Sequence, residues 1–443
     1  MRNRLKNLQN KKKKILNLIF ISVYLISALV MIFTRSFIGL NFYGYRLGEI
    51  LVLLGLIVSL FLTINFKKLS FINVDIFNNY FKSIILSFFI VVLLTGSNIS
   101  NSYAFKSSSY IWTIGFLIIG IFFTEHINNV DKRLVMTLSF IPLIIYIFNT
   151  GNYPDFIINF FLKYSDKFQF IKASDIFLAV ITIYFYLEKL RIKQKLKILY
   201  LFIYIPLFLP MLIIQSRGSY VGIIIFSLLV IFYEKEYLLK NKKTIFFYLI
   251  ISSIIFIISS FRVSGVDFFE TELTPELVTE QVKTNSEVKD TKKAFLTFYI
   301  NDGRLFSKDE TTNWRLDIWQ DVAFDMYQEG NILYGYGYKS IIPQMVDPSA
   351  PGRLGRDGLN ENVHNYFVTV LSRGGLIQVA LFLLFHISMI QIWKKNEDNY
   401  KILIYYLPVL FVSCLDISMD GVQFPLIFFG SLGYFLNELK SNK

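Results

Sequence analysis

Arg217, Arg315 and His364 are the residues of this chain best suited to chemistry, and Arg35 and Arg46 extend the set. Arg217 stands in the tight turn Gln215-Ser216-Arg217-Gly218-Ser219 between two apolar runs. Arg315 lies in the stretch Asn313 to Tyr327, where Trp314, Ile318, Val322 and Met326 recur at the spacing of an amphipathic helix. Thr311 or Thr312 is the expected cap of that helix and Gly330 its end. His364-Asn365 stands where a long polar block gives way to an apolar run. Guanidinium groups grip phosphate oxygens in pairs. A histidine, with an ordinary pKa near 6.5, can take a proton from a hydroxyl. Together they suit a transfer in which a hydroxyl attacks, a diphosphate leaves and arginines stabilise the developing charge. Plainer readings stand beside these. Arg217 can reach lipid phosphate from the membrane surface, Arg315 can be a surface arginine beside a packed tryptophan, and His364 can be a structural boundary residue. The other two histidines offer less, with His126 expected in a solvated loop and His386 inside an apolar run.

The elements that must position these residues are membrane helices. Of 443 residues, 54% are hydrophobic and 17% charged, and mean hydropathy is +0.50. A soluble chain carries about a quarter charged residues. Twelve apolar spans are expected, near 15–33, 50–66, 83–95, 110–123, 134–148, 174–188, 196–214, 219–233, 244–261, 376–393, 402–417 and 422–436. The basic N-terminus, Lys67-Lys68 with Lys82, Asp131-Lys132-Arg133, and the basic clusters near 188–197, 234–243, 393–401 and 438–443 alternate with less basic segments. Lysine and arginine in short loops mark the cytoplasmic side, which puts both termini inside. The net charge of +13 is mostly this topology signal, and no basic soluble domain exists to hold nucleic acid. The first apolar run reads as an uncleaved helix, because it is long and no small-residue cleavage site follows it. The single cysteine, Cys414, permits no internal disulfide.

The same alternation puts Arg35, Arg46, Arg217 and the large polar block outside. Arginines there run against the positive-inside trend, which invites a functional reading. The chain divides into a bundle of nine helices over 1–261, a large extracytoplasmic loop over 262–365, and three helices over 366–443. Within the loop, Gly335-Tyr336-Gly337 suggests a tight turn where backbone meets another chain or a sugar. A lipid-linked sugar would lay its lipid in the bundle and its diphosphate at the interface. Asp175, Asp416 and Asp420 are more simply helix caps and loop ends than metal ligands. No site for a metal or cofactor is evident.

Ser216-Arg217-Gly218 at a short outer turn, Arg315 with Trp319, Gly335-x-Gly337, and His364-Asn365 followed by Leu371 and Gly375 occur in an order that resembles the O-antigen ligase and polymerase superfamily. The resemblance in topology spans the chain, and that in motifs spans about 211–393. It implies a GT-C-like helical fold and metal-independent, inverting transfer from an undecaprenyl-diphosphate glycan. It further implies that Arg217 and Arg315 bind the diphosphate, and that His364 acts as base or positions the acceptor hydroxyl. Two positions depart from the family: Arg373, where an acidic residue is common, and Gln378, where a glycine often follows. A polymerase of lipid-linked repeat units is the favoured expectation, in the bacterial cytoplasmic membrane with a flippase and chain-length regulator as partners. A ligase that moves finished glycan to lipid A core, protein or wall is the alternative, and a transporter is a rival of another class.

Overall fold

A computed structural model of the chain describes residues 21–22, 24–65, 77–121, 136–151, 153–166, 168–264, 297–350, 352–354, 358, 360–416 and 418–437. His126 and most of the basic clusters expected in the first two cytoplasmic loops lie outside the described residues. What is described is mostly helical. In chain order it comprises α1 (Tyr24–Ile38), the hairpin β1 (Asn41–Phe42) and β2 (Tyr45–Arg46), α2 (Leu47–Asn65), α3 (Asn79–Thr95) and α4 (Ser102–Ser107). There follow α5 (Ser109–Ile121), α6 (Thr137–Asn149), α7 (Asp155–Tyr164), α8 (Ala173–Lys189), α9 (Gln194–Gln215), α10 (Arg217–Lys240) and α11 (Lys242–Val263). The hairpin β3 (Phe298–Asn301) and β4 (Arg304–Ser307), then α12 (Glu310–Gln328), lead to α13 (Tyr366–Glu397), α14 (Leu403–Ser413) and α15 (Gln423–Leu436).

Among the described residues, four helices, α2, α9, α11 and α13, are long and apolar enough to cross a membrane, and shorter apolar helices stand at other expected spans. α7 falls in a segment expected to be an outer loop. Much of the apolar surface points outward. On α11, Phe246, Phe247, Ile254 and Ile258 are exposed, as a lipid-facing helix requires. Close approach between helices follows from small residues. A Cβ on Gly120 would lie 2.0 Å from the Gly430 carbonyl oxygen, and one on Gly433 would lie 2.0 Å from that of Leu117, so α5 and α15 pack backbone to backbone. Pro206 in α9 has no N–H to offer the Phe202 carbonyl one turn back. Ser252 of α11 donates to that oxygen instead (2.6 Å), which repairs the gap in an apolar setting.

The two ends of the bundle differ in chemistry. At the C-terminal end of α8, Glu188 and Glu234 share Lys401 at 3.3 and 3.2 Å, and Lys189 pairs with Glu397 at 2.7 Å. At its N-terminal end stand Lys172 and the segment that binds α1 through Ser36, whose hydroxyl accepts from the Gln169 amide and donates to the Gln169 carbonyl.

The loop ahead of α13 has a core of its own. Ile318, Val322 and Met326 of α12 are fully buried against Ile342, Met345 and Val363, with Trp314 packed on them, which is the face the spacing predicted. Burial of each such side chain contributes about 1.5–3 kcal/mol. The cap is not a threonine but Asp309, which accepts from the Thr312 amide at 2.9 Å and from its hydroxyl at 2.6 Å. A carboxylate there also complements the helix dipole. Arg353, almost fully buried, binds Asp317 and Asp321 on α12, and Arg304 binds the same two at 2.9 and 2.7 Å.

α13 begins at Tyr366 rather than near 376, because Asn365 caps it, accepting from the Phe367 and Val368 amides at 3.0 and 3.2 Å. It breaks at Gly375, where φ is +70 and ψ is −174. The break frees backbone groups on both sides, and the Gly335 loop takes them up. Tyr336 and Gly337 amides donate to the Ser372 and Arg373 carbonyls (2.8 and 3.0 Å), while the Leu376 and Ile377 amides donate to Ile332 and Leu333 (2.9 and 3.4 Å). A Cβ on Gly375 would sit 2.2 Å from Leu333 backbone, so only glycine permits this joint.

Candidate functional site

Three separate segments bring Arg217, Arg315 and His364 to one end of the bundle. Ser216 caps α10, accepting from the Ser219 amide at 3.3 Å, and so sets Arg217 at the first position of that helix. Arg217 Nη1 lies 2.8 Å from Asp309 Oδ1. Burial raises the Asp309 carboxyl, but hydrogen bonds from Thr312 and the charge of Arg217 outweigh it and hold the carboxyl below its usual range. Gly218 leaves room for Leu415, whose Cβ would lie 3.0 Å from a Cβ at 218. Arg315 Nη1 donates to the Leu415 carbonyl at 2.6 Å. The turn after α14 is thus clamped between the Arg217 hairpin and the Arg315 helix.

His364 stands at φ +56, and its ring meets Trp314 edge-on at 5.1 Å. Trp319 Nε1 donates to the Val363 carbonyl at 2.6 Å, which fixes the backbone just before it. The amide of Asn360 is oriented by its own donation from Nδ2 to the Arg353 carbonyl (3.3 Å), leaving Oδ1 to accept from His364 Nε2 at 3.3 Å. That pairing puts the ring proton on Nε2 and a free lone pair on Nδ1, which is buried without a partner. Burial, then the charge of Arg315, pushes the His364 pKa down to about 3. Asp416 opposes the shift, and Lys172 and Arg35 add to it. His364 is therefore neutral at physiological pH and can accept a proton.

Lys172 was not singled out in the sequence. It precedes α8, and its ammonium is driven below its ordinary range by burial and by Arg35, with Asp416 and Asp175 opposing. Its signal was available, since it is one more cation in a predicted outer segment. Asp309, Leu415 and Asp416 also belong to the site. A carboxylate cap and a carbonyl acceptor leave no motif in sequence, so spacing could not find them. Burial and desolvation likewise push the Arg315 guanidinium down, with Asp416 and Asp309 opposing. Among the described residues, four cations, Arg35, Lys172, Arg217 and Arg315, thus gather at this end against Asp309, Asp416 and Asp175. Such a surplus fits an anion.

Arg46 does not join them. It sits on the β1–β2 hairpin and pairs with Asp166 at 2.6 Å on an exposed surface. Gly335 and Gly337, both at φ +77, serve the joint with α13, meeting the Arg373 backbone and Thr95, so the turn contacts its own chain. The two family departures are built in. Arg373 is buried and donates to the Gly337 and Ser340 carbonyls (3.2 and 2.6 Å), while Gln378 accepts from the Tyr110 and Tyr338 hydroxyls (2.6 and 3.1 Å). His386 is buried in α13 with Nδ1 3.0 Å from the Tyr406 hydroxyl. Asp175 opens α8, and Asp420 accepts from Thr369 at 3.2 Å. Among the described residues, no three imidazole, thiol or carboxylate groups gather as a metal site needs.

Residues 202–383 match the family model described as O-antigen ligase. That stretch of the chain is similar to the O-antigen ligase family. No curated protein matches the sequence. The O-antigen ligase match runs from α9 into α13 and takes in Arg217, Arg315 and His364, whereas Arg35 and Lys172 come from the unmatched part. Glycosyltransferase-like activity comes with this family, and its apolar helices make the chain a membrane protein.

Proposed function

We propose that the protein is a glycosyltransferase that polymerises lipid-linked polysaccharide repeat units, moving glycan from undecaprenyl diphosphate to a sugar hydroxyl. The observation that carries this reading is the gathering of Arg315, Lys172 and Arg35 around a neutral histidine with an unpartnered ring nitrogen, Arg217 being joined to the group through Asp309, within and beside the O-antigen ligase match. Arg217 and Arg315, with Arg35 and Lys172, bind the diphosphate. The acceptor hydroxyl attacks the anomeric carbon from the face opposite the leaving oxygen, and the configuration inverts. The new C–O bond forms as the bond to diphosphate breaks, and the hydroxyl proton passes to His364 Nδ1. Undecaprenyl diphosphate leaves with its charge compensated by the cations. The chain's own guanidinium and ammonium groups supply the positive charge, so the scheme calls for no metal or cofactor. Arg46, engaged with Asp166, has no role in it.

In this reading the fold is GT-C-like with twelve crossings, both termini are cytoplasmic and the site opens on the outer face of the bacterial cytoplasmic membrane. Residues 262–365 guide the acceptor over the seam between loop and bundle. A flippase would deliver repeat units, and a chain-length regulator would end growth. Transfer of finished glycan to lipid A core, protein or wall is the second reading, favoured by the description of the matched family as a ligase. It uses the same donor chemistry and differs in product.

Reconstituted protein given purified lipid-linked repeat units tests the proposal. A ladder of lengthening glycan is expected, lost in Arg217→Ala, Arg315→Ala and His364→Ala variants that still insert in the membrane. A normal ladder from all three overturns it, and transfer to a non-lipid acceptor in place of a ladder marks a ligase.

A further inference from the structure

A cavity of about 90 Å³ lies beside the first turn of α13, apart from the four cations. Its polar wall includes Tyr103, Lys106, Glu361, Thr369, Arg373 and Asp420, drawn from four stretches of chain. Most of these groups already hold one another. Arg373 Nη2 donates to the Tyr103 hydroxyl at 3.1 Å, Lys106 pairs with Glu361 at 2.8 Å, and Thr369 donates to Asp420 Oδ2 at 3.2 Å. One group is left over: Asp420 Oδ1 is buried and has no partner. A buried oxygen in that state calls for a hydrogen-bonding ligand.

The lining says which kind. Its two cations are already engaged, Lys106 by Glu361 and Arg373 by the Tyr103 hydroxyl and the Gly337 and Ser340 carbonyls, so the cavity offers little to a diphosphate, unlike the site around His364. Fixed polar groups beside an aromatic ring, with a waiting oxygen, suit a hydroxyl-rich ring. Position agrees. Glu361 comes shortly before His364 in the chain, and Thr369 bonds back to the carbonyl of Asn365, the cap that follows His364 (2.9 Å). The cavity and the histidine are thus linked through one short stretch of chain, 361–369.

We propose that this cavity is an acceptor subsite, seating a sugar residue next to the one whose hydroxyl attacks. The proposal rests on the transferase reading above. Asp420 Oδ1 takes a hydrogen bond from a sugar hydroxyl, and Glu361 meets a further hydroxyl at the mouth.

The test uses the full chain in lipid nanodiscs and, as soluble acceptor, the repeat oligosaccharide released by mild acid from the host's own lipid-linked pool. Asp420→Ala is expected to raise the acceptor KM about tenfold, the loss of one hydrogen bond. Glu361→Gln is expected to raise it about threefold, a smaller loss at a half-open site. Inhibition by added undecaprenyl diphosphate stays as in the wild type in both. An unchanged acceptor KM in the folded variants overturns the subsite, as does an equal weakening of undecaprenyl diphosphate. Glu361→Gln decides alone if Asp420→Ala does not fold. Should the wild type transfer nothing, the transferase reading fails separately. Oligosaccharide binding followed by saturation-transfer NMR then decides the cavity: binding weakened by either variant supports it, and no binding to the wild type overturns it.

Discussion

Arg217 is held by the carboxylate that starts the helix of Arg315: its Nη1 lies 2.8 Å from Oδ1 of Asp309, and Asp309 caps α12. The two arginines of the site come from distant parts of the chain, yet one side chain sets both. Asp309→Ala is therefore expected to act beyond its own contact. Losing the cap costs about 1 kcal/mol of stability, and losing the Asp309 contact lowers transfer more than about tenfold by loosening the placement of Arg217. Melting temperature and glycan ladder, measured together, check this. Full activity in Asp309→Ala would show that Arg217 needs no such anchor.

Arg315 has one nitrogen committed to the Leu415 carbonyl and others left for substrate. Arg315→Ala is expected to lower kcat by about 10²–10³-fold, the loss of a charge placed where charge develops. Arg315→Lys should recover little, because an ammonium cannot span carbonyl and phosphate as a planar guanidinium does. Single-turnover rates with saturating donor distinguish the cases, and near wild-type rates for the lysine variant would refute the shared-fork geometry.

His364 gives a pH signature. Its pKa is about 3 in the folded protein, below the ordinary value near 6.5. Between those values the unfolded chain binds the proton and the folded one does not. Stability is then full above about 6.5 and is lost as pH falls toward 3. His364→Asn is expected to flatten the melting temperature across that window. In activity, kcat/KM should show no acid limb near 6.5, since free protein keeps its base neutral. Bound diphosphate answers the neighbouring cations and lifts the histidine, so the acid limb of kcat should lie at higher pH than that of kcat/KM.

Gly375 and Gly330 separate two effects of positive φ. Both lie near φ +70, but a Cβ at 375 would strike Leu333 backbone at 2.2 Å, whereas one at 330 meets nothing within 4 Å. Gly330→Ala is expected to cost about 1 kcal/mol through backbone strain alone. Gly375→Ala should cost several times more and open the polar loop to protease while helix content by circular dichroism stays near wild type. Equal costs would show that the joint yields easily.

Apolar runs made the helices legible, because lipid demands long apolar segments. The α12 face was legible for a similar reason, its buried Ile318, Val322 and Met326 repeating with the helix. The break at Gly375 was not, since its frame is backbone hydrogen bonding between 332–337 and 372–377, which leaves no side-chain pattern beyond the glycine itself. Of the site, Arg217, Arg315 and His364 were visible as ionisable groups at odds with their surroundings. Arg46 had the same signal but a local partner in Asp166, a pairing far apart in sequence. Lys172 was masked by the ordinary look of one lysine among many. Arg373 and Gln378, departures by motif, turned out to hold the Gly335 loop and the α13 interior.

The polar loop is fastened to α13 through main-chain amides and carbonyls at the Gly375 break. A seam of that kind works like a zip whose teeth are the same in every protein. Most side chains along it can be exchanged without unfastening it, provided the glycines stay and Arg373 keeps its hold on the Gly337 and Ser340 carbonyls. Polar loops of other sequence could thus be transplanted onto these helices with the joint intact, which makes residues 332–337 the natural splice point for chimeras.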